Sequence, residues 1–115
     1  MQDLLDQLNR VRGVGGSVLI SGDGLPMASA LRSGVDENNL AAALSGLIEK
    51  SQGLCGRLGL GGCKSVQGFG GNGAVLLFSA GPSFLAVLVD PAANLALLQL
   101  EAKPFAEKIS QRLAL

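Results

Sequence analysis

A chain of 115 residues makes one domain, large enough to bury a core without disulfide or metal staples. At 48% hydrophobic and only 16% charged it is more apolar than a monomer of this size can hide, so a partner should cover part of its surface. Nine basic and nine acidic residues cancel, and neither sign forms a run, which leaves no electrostatic footprint for nucleic acid or an anionic membrane.

The first segment repeats Leu4, Leu5, Leu8 and Val11 at helical spacing, with Asp3, Asp6, Gln7 and Arg10 between them, and predicts a helix over about 2–12. Gly13 stands where a helix ends in a left-handed residue, and Gly15 and Gly16 let the chain turn into a strand. Ser17–Ile20 and Leu25–Ser29 read as a hairpin around Gly22-Asp23-Gly24. Since Val18 and Ile20 alternate with Leu19, the first strand is apolar on both sides and belongs inside a sheet covered by helices. Leu31–Val35 is a loop.

Asp36 is an N-cap for a second helix over Glu37–Cys55, ended by Gly56, with Leu40, Leu44, Leu47, Ser51 and Leu54 along one stripe. Gly46 in its interior costs roughly 1 kcal/mol against alanine, which signals close packing there. Two readings stay open: Gly46 lies over a bulky sheet residue of its own chain, or another helix crosses it. A glycine-rich connection, Arg57–Gly62, leads to three strands, Lys64–Phe69, Ala74–Ser79 and Phe84–Val89, joined by Gly70-Gly71-Asn72-Gly73 and Gly81-Pro82-Ser83 into an antiparallel meander. The first is the most polar and should be an edge strand, with Lys64 and Gln67 limiting stray pairing. Asn94 caps a last helix bearing Leu95, Leu98, Ala102, Phe105, Ile109 and Leu113, which Pro104 should kink or break near Lys103.

No signal peptide is visible, and the most apolar stretch, 74–89, is interrupted and shorter than the ~20 residues of a membrane-spanning helix, so a cytoplasmic domain over 1–115 is expected. Cofactors and metals are not expected. Cys55 and Cys63 lie eight apart with no histidine in the chain, which suits two reduced thiols better than a zinc or redox site. Gly68–Gly73 fits a GxGxxG fingerprint followed by Asp90, and Gly62-Cys63-Lys64-Ser65 is similar to the end of a P-loop, but a strand and not a helix follows each. Without histidine, and with its acids scattered, the chain reads as an interaction protein and not an enzyme. Arg57, beside the glycine-rich loop, is a candidate transition-state arginine for a GTPase but reads more simply as a solvated loop residue.

The αββαβββα order resembles the Roadblock family of dynein light chains and bacterial MglB-type GTPase regulators. So does the stretch RGVGGSVLISGDGLPMAS, with Gly13-Val14 closing the first helix and Asp23–Ser29 following the strand; Leu58-Gly59-Leu60-Gly61 and Asn94–Leu98 echo it. The resemblance implies an α+β, profilin-like domain, a five-stranded antiparallel sheet with helices on both faces, whose sheet continues across a homodimer through the third strand. It implies a dimer interface of Leu40, Ala43, Gly46, Leu47, Val66 and Phe69. It also implies a small Ras-like GTPase as partner, for which the outward stripe of the second helix, Asn38, Ala42, Ser45, Glu49 and Gln52, spaced three and four apart, is the expected surface; a light-chain-like adaptor for a larger protein is the alternative, and a nucleotide-dependent enzyme stands as a third reading.

Overall fold

The computed structural model describes residues 1–114. Its elements are α1 (Gln2–Leu8), β1 (Val14–Ile20), β2 (Pro26–Ala30), α2 (Glu37–Arg57), β3 (Ser65–Gly70), β4 (Gly73–Ala80), β5 (Ser83–Val89) and α3 (Leu95–Leu113). This is the expected αββαβββα order. The strands form one antiparallel sheet in the order β2-β1-β5-β4-β3, with the β3–β4–β5 meander on one side and β3 at the edge.

Alternation along the central strands divides the core in two. Leu19, Leu76, Leu85 and Val87 point to the face covered by α1 and α3. Val18, Ile20, Leu77, Phe84 and Ala86 point to the face covered by α2, where they meet Ala41, Leu44 and Ile48. Asp36 and Asn94 cap α2 and α3 as their side chains imply, accepting from the N–H groups of Asn39 and Leu97, each at 3.1 Å.

The boundaries depart from the sequence reading at four places. First, α1 stops at Leu8 and not near residue 12. Asn9 keeps a right-handed helical backbone and bonds the Leu5 carbonyl at 3.0 Å, and its side chain ties this end of α1 to the sheet: it donates to the Ala30 carbonyl at 2.7 Å and accepts from the buried Ser17 hydroxyl at 2.8 Å. Two tight turns, Val11 N–H to Leu8 and Val14 N–H to Val11, then carry the chain into β1 through Gly13 at φ +97°.

Second, Gly15 and Gly16 lie inside β1. The register against β5 shifts between Val14 and Gly16, so this is a bulge, and a methyl on Gly15 would sit 2.7 Å from the Asp90 carboxylate. Third, α2 runs past Gly56 to Arg57. The N–H of Leu60 bonds the Cys55 carbonyl at 2.8 Å and that of Gly59 bonds Gly56 at 3.2 Å, with Gly59 at φ +69°. That is a Schellman stop, in which Gly59 and not Gly56 holds the left-handed position.

Fourth, α3 continues unbroken through Pro104. Proline removes the bond to the Leu100 carbonyl, but Leu100 is exposed, so water can take that acceptor while Ala102, Ala106 and Ile109 stay packed on the sheet. Arg112, near the end of α3, grips both oxygens of Asp3 on α1 at 2.9 and 3.0 Å, and this holds the Asp3 carboxyl well below the usual carboxylate range.

The Asn9–Ser17 pair gives a first test. Asn9→Ala removes the acceptor of a fully buried hydroxyl and should cost about 1–3 kcal/mol, whereas adding Ser17→Ala removes the stranded donor. Urea unfolding of the single and double variants should therefore show strongly sub-additive losses; strict additivity would mean the hydroxyl finds another partner.

Candidate functional site

Helix α2 is where the sequence reading needs correction. Leu40, Leu44, Leu47, Ser51 and Leu54 do not form one core stripe. The residues that α2 buries are Ala41, Leu44 and Ile48, while Leu47 is 36% and Leu54 58% exposed. At 100° per residue, Leu40, Ala43, Leu47, Leu54 and Leu58 form a second apolar row along the flank. Leu40, at one end of this row, is partly buried against the core cluster under α2, as are Val66 of β3 and Val75 of β4.

Gly46 now has an answer for its own chain. A methyl built there meets no heavy atom of the described residues within 4 Å beyond its own helical turn, so no sheet residue demands the glycine. The intrachain reading is overturned. Gly53 and Gly56 are equally open.

The opposite flank carries Asn38, Ala42, Ser45, Glu49 and Gln52. All are exposed except Ser45, which is half-buried against the β1–β2 turn: a Cβ on Gly24, at φ +86°, would lie 2.5 Å from its hydroxyl oxygen. Ser45, Glu49 and Gln52 border a cavity of about 550 Å³ shared with Asp23, Cys63 and Pro82. Burial, together with the adjacent Cys55 thiol, pushes the Cys63 thiol up, so it stays protonated; both cysteines are free. Arg57 ends α2 in solvent, where a cation suits the carboxyl end of a helix.

The two sheet edges differ. At β2, the side chains of Gln2 and Asn9 donate to the carbonyls of Ser29 and Ala30 at 2.8 and 2.7 Å, and the Ser29 hydroxyl donates to Glu37 at 2.5 Å, so α1 and α2 blunt that edge. β3 pairs with β4 alone. Register places Val66 and Gly68 on the α2 face, opposite Leu77 and Val75, and Phe69 on the other face, where it is 68% exposed. Val66 and Phe69, expected in one interface, thus lie on opposite sides of the sheet.

The glycine-rich segment is a hairpin: Gly70 pairs with Gly73, β4 follows at once, and the Asp90 carboxylate is engaged by Arg32 at 3.0 Å. A dinucleotide fingerprint needs a helix at that point. Among the described residues no cluster of three or more metal-ligating side chains occurs, and no helix is long and apolar enough to cross a membrane.

Comparison with known proteins agrees with this architecture. The chain is 35% identical to Uncharacterized protein MJ0714 of Methanocaldococcus jannaschii over 106 residues, 92% of this chain and 90% of that protein. A Roadblock/LC7 domain from Streptomyces avermitilis superposes with TM-score 0.90 at 25% identity, over 100% of this chain and 98% of that one. Myxococcus xanthus MglB has the same fold, with TM-score 0.93 at 19% identity over 98% and 94% of the two chains. The family model of the Roadblock/LC7 domain matches residues 1–89, and with the complete set of strands and helices in the expected order, the chain belongs to the Roadblock/LC7 family.

Proposed function

We propose that the chain is a non-catalytic homodimeric platform for a small Ras-like GTPase, with two sheets joined through β3 and two α2 helices packed antiparallel above them. The observation that carries the dimer is Gly46, a costly residue in mid-helix whose Cβ position nothing among the described residues occupies. The exposed apolar flank of α2 and the unblunted β3 edge support it. The flank of Asn38, Ala42, Glu49 and Gln52 is small and polar, which suits a partner that must also be released. Each α2 is about 31 Å long at 1.5 Å per residue, so two make a surface broad enough for a standard protein interface. The GTPase itself comes from the family resemblance.

A regulator can bias a GTPase only by binding one nucleotide state better than the other. Pull-down from native lysate followed by titration of the captured GTPase, loaded with GDP or a GTP analogue, should show a preference of about tenfold or more, equivalent to about 1.4 kcal/mol. Equal affinity would defeat the regulatory reading, and capture of a motor or filament subunit in place of a GTPase would favour the adaptor.

A further inference from the structure

Between Gln52 and Ser65 the chain runs along the surface, and only two of its residues turn inward: Cys55 and Cys63 are half-buried, and all the others are exposed. Helical spacing accounts for the first. Cys55 lies seven residues after Ile48 and eleven after Leu44, so at 100° per residue it falls within about 20° of both and faces the sheet. Cys63 comes from the other side. It precedes β3 and borders the same cavity as Ile48 and Phe84, and its thiol has two neighbours: the Ser65 carbonyl, to which it donates at 3.7 Å, and the Cys55 thiol.

The backbone brings the two sulfurs together with no bond between them. The Cys55 carbonyl accepts from the Leu60 N–H at 2.8 Å, and the Lys64 carbonyl, next to Cys63, accepts from the Ser79 N–H of β4 at 2.8 Å. Both ends of the loop are therefore fixed by the fold. Its middle can give: Gly59 and Gly61 hold positive φ, +69° and +83°, and neither has a heavy atom of the described residues within 4 Å of its Cβ position. Proximity set by the fold lowers the cost of closing a ring, and the ring to be closed here is short. A metal ion suits the pair less well, since among the described residues no third ligand joins the two thiols.

We propose that Cys55 and Cys63 are a redox-active pair, which a low-molecular-weight disulfide converts into an intrachain disulfide that staples the end of α2 to the entrance of β3. The eight-residue spacing carries no motif in the sequence; the helix stop at Gly59 is what folds it back on itself. The step balances by thiol–disulfide exchange. One protein thiolate attacks a sulfur of the small disulfide and expels its other half, and the second protein thiolate then attacks the protein sulfur of the mixed disulfide and expels the remaining half. The two protein thiols give up two protons and two electrons, and the small disulfide takes both and leaves as two thiols. Burial beside Cys55 keeps the Cys63 thiol protonated, so exchange is slow at neutral pH and quickens as pH rises.

The test uses the full chain, incubated with oxidised glutathione, then denatured and digested. Trypsin cuts after Lys50, Arg57 and Lys64, so the two cysteines fall on separate peptides, 51–57 and 58–64. The oxidised chain should yield these two joined, and reduction should part them. Undigested, it should keep the mass of one chain, about 2 Da below the reduced form. Cys55→Ser and Cys63→Ser should each hold a single glutathione adduct and give no joined peptide, and the wild-type map decides even where a serine variant fails to fold. A staple also restrains the loop. Oxidation should slow native-state cleavage after Arg57 at least about tenfold and raise the urea midpoint, and the Cys55→Ser, Cys63→Ser double variant should show neither change. Two glutathione adducts, thiols that stay open to alkylation, or disulfides between chains in place of the joined peptide overturn the pairing. A joined peptide that alters neither the cleavage rate nor the midpoint overturns the staple.

Discussion

Gly46→Leu should split the dimer into folded monomers, and the sign of the accompanying stability change identifies the reason for the glycine. In a lone chain a Cβ at this position meets nothing among the described residues, so alanine or leucine would only remove the roughly 1 kcal/mol that glycine costs in a helix interior, and the fold would gain stability. At a helix crossing the same side chain is overpacked, at about 1–3 kcal/mol for each copy, and the symmetric contact doubles it. The dissociation constant should then rise between about 30-fold and 10⁴-fold. Sedimentation equilibrium measures the loss, and urea unfolding of the resulting monomer should show stability equal to or above that of the wild-type subunit diluted to the same state. A Gly46→Leu chain that dimerises with wild-type affinity would remove Gly46 from the interface.

What the sequence makes legible here is local chemistry. Asp36 and Asn94 cap their helices because a side-chain oxygen three residues before a free N–H is enough, whatever the rest of the fold does. The hairpin at Gly22-Asp23-Gly24 and the meander follow from turn residues between apolar runs, with Gly24 supplying the positive φ. The polar strand 65–70 at the edge follows from the same logic.

What is not legible depends on contacts between distant segments. Nothing near Asn9 announces that its amide will reach Ala30 and Ser17, yet those bonds tie the end of α1 to the sheet. Gly15 and Gly16 look like a turn before a strand and become a bulge because the chain must pass Asp90 and Arg32. On α2 the leucines attract attention and the smaller Ala41 and the β-branched Ile48 do not, although those two face the sheet. Two apolar rows on one helix, one for its own core and one for the flank, merge when only leucines are counted. The leucines at 47 and 54 belong to the second row, so the error in the stripe and the excess of apolar residues have the same origin.

Ala42→Arg combined with Gln52→Arg should abolish capture of the GTPase at micromolar concentration while leaving the dimer intact. Both residues are exposed on the polar flank of α2, about 100° or more around the helix from the Leu47–Leu54 row, so the added side chains meet neither the core nor that row; Ala42 lies one turn from Gly46, so sedimentation of each variant checks that the dimer is kept before binding is read. Ser45 sits between them but must be spared, because an arginine there would collide with the β1–β2 turn at Gly24 and report misfolding in place of lost binding. Two long cations at the centre of a docked surface exclude close approach and leave charge to be desolvated. The loss should be at least about 2 kcal/mol, or roughly 30-fold, in affinity for the favoured nucleotide state. A charge-reversed control separates steric from electrostatic causes: Ala42→Glu with Gln52→Glu should weaken binding as well if the flank is contacted directly, whereas recovery with glutamates would show that repulsion by a basic partner surface set the arginine effect. If both double variants bind as the wild type does and sediment as dimers, the GTPase docks elsewhere on the dimer and the polar flank of α2 has no part in it.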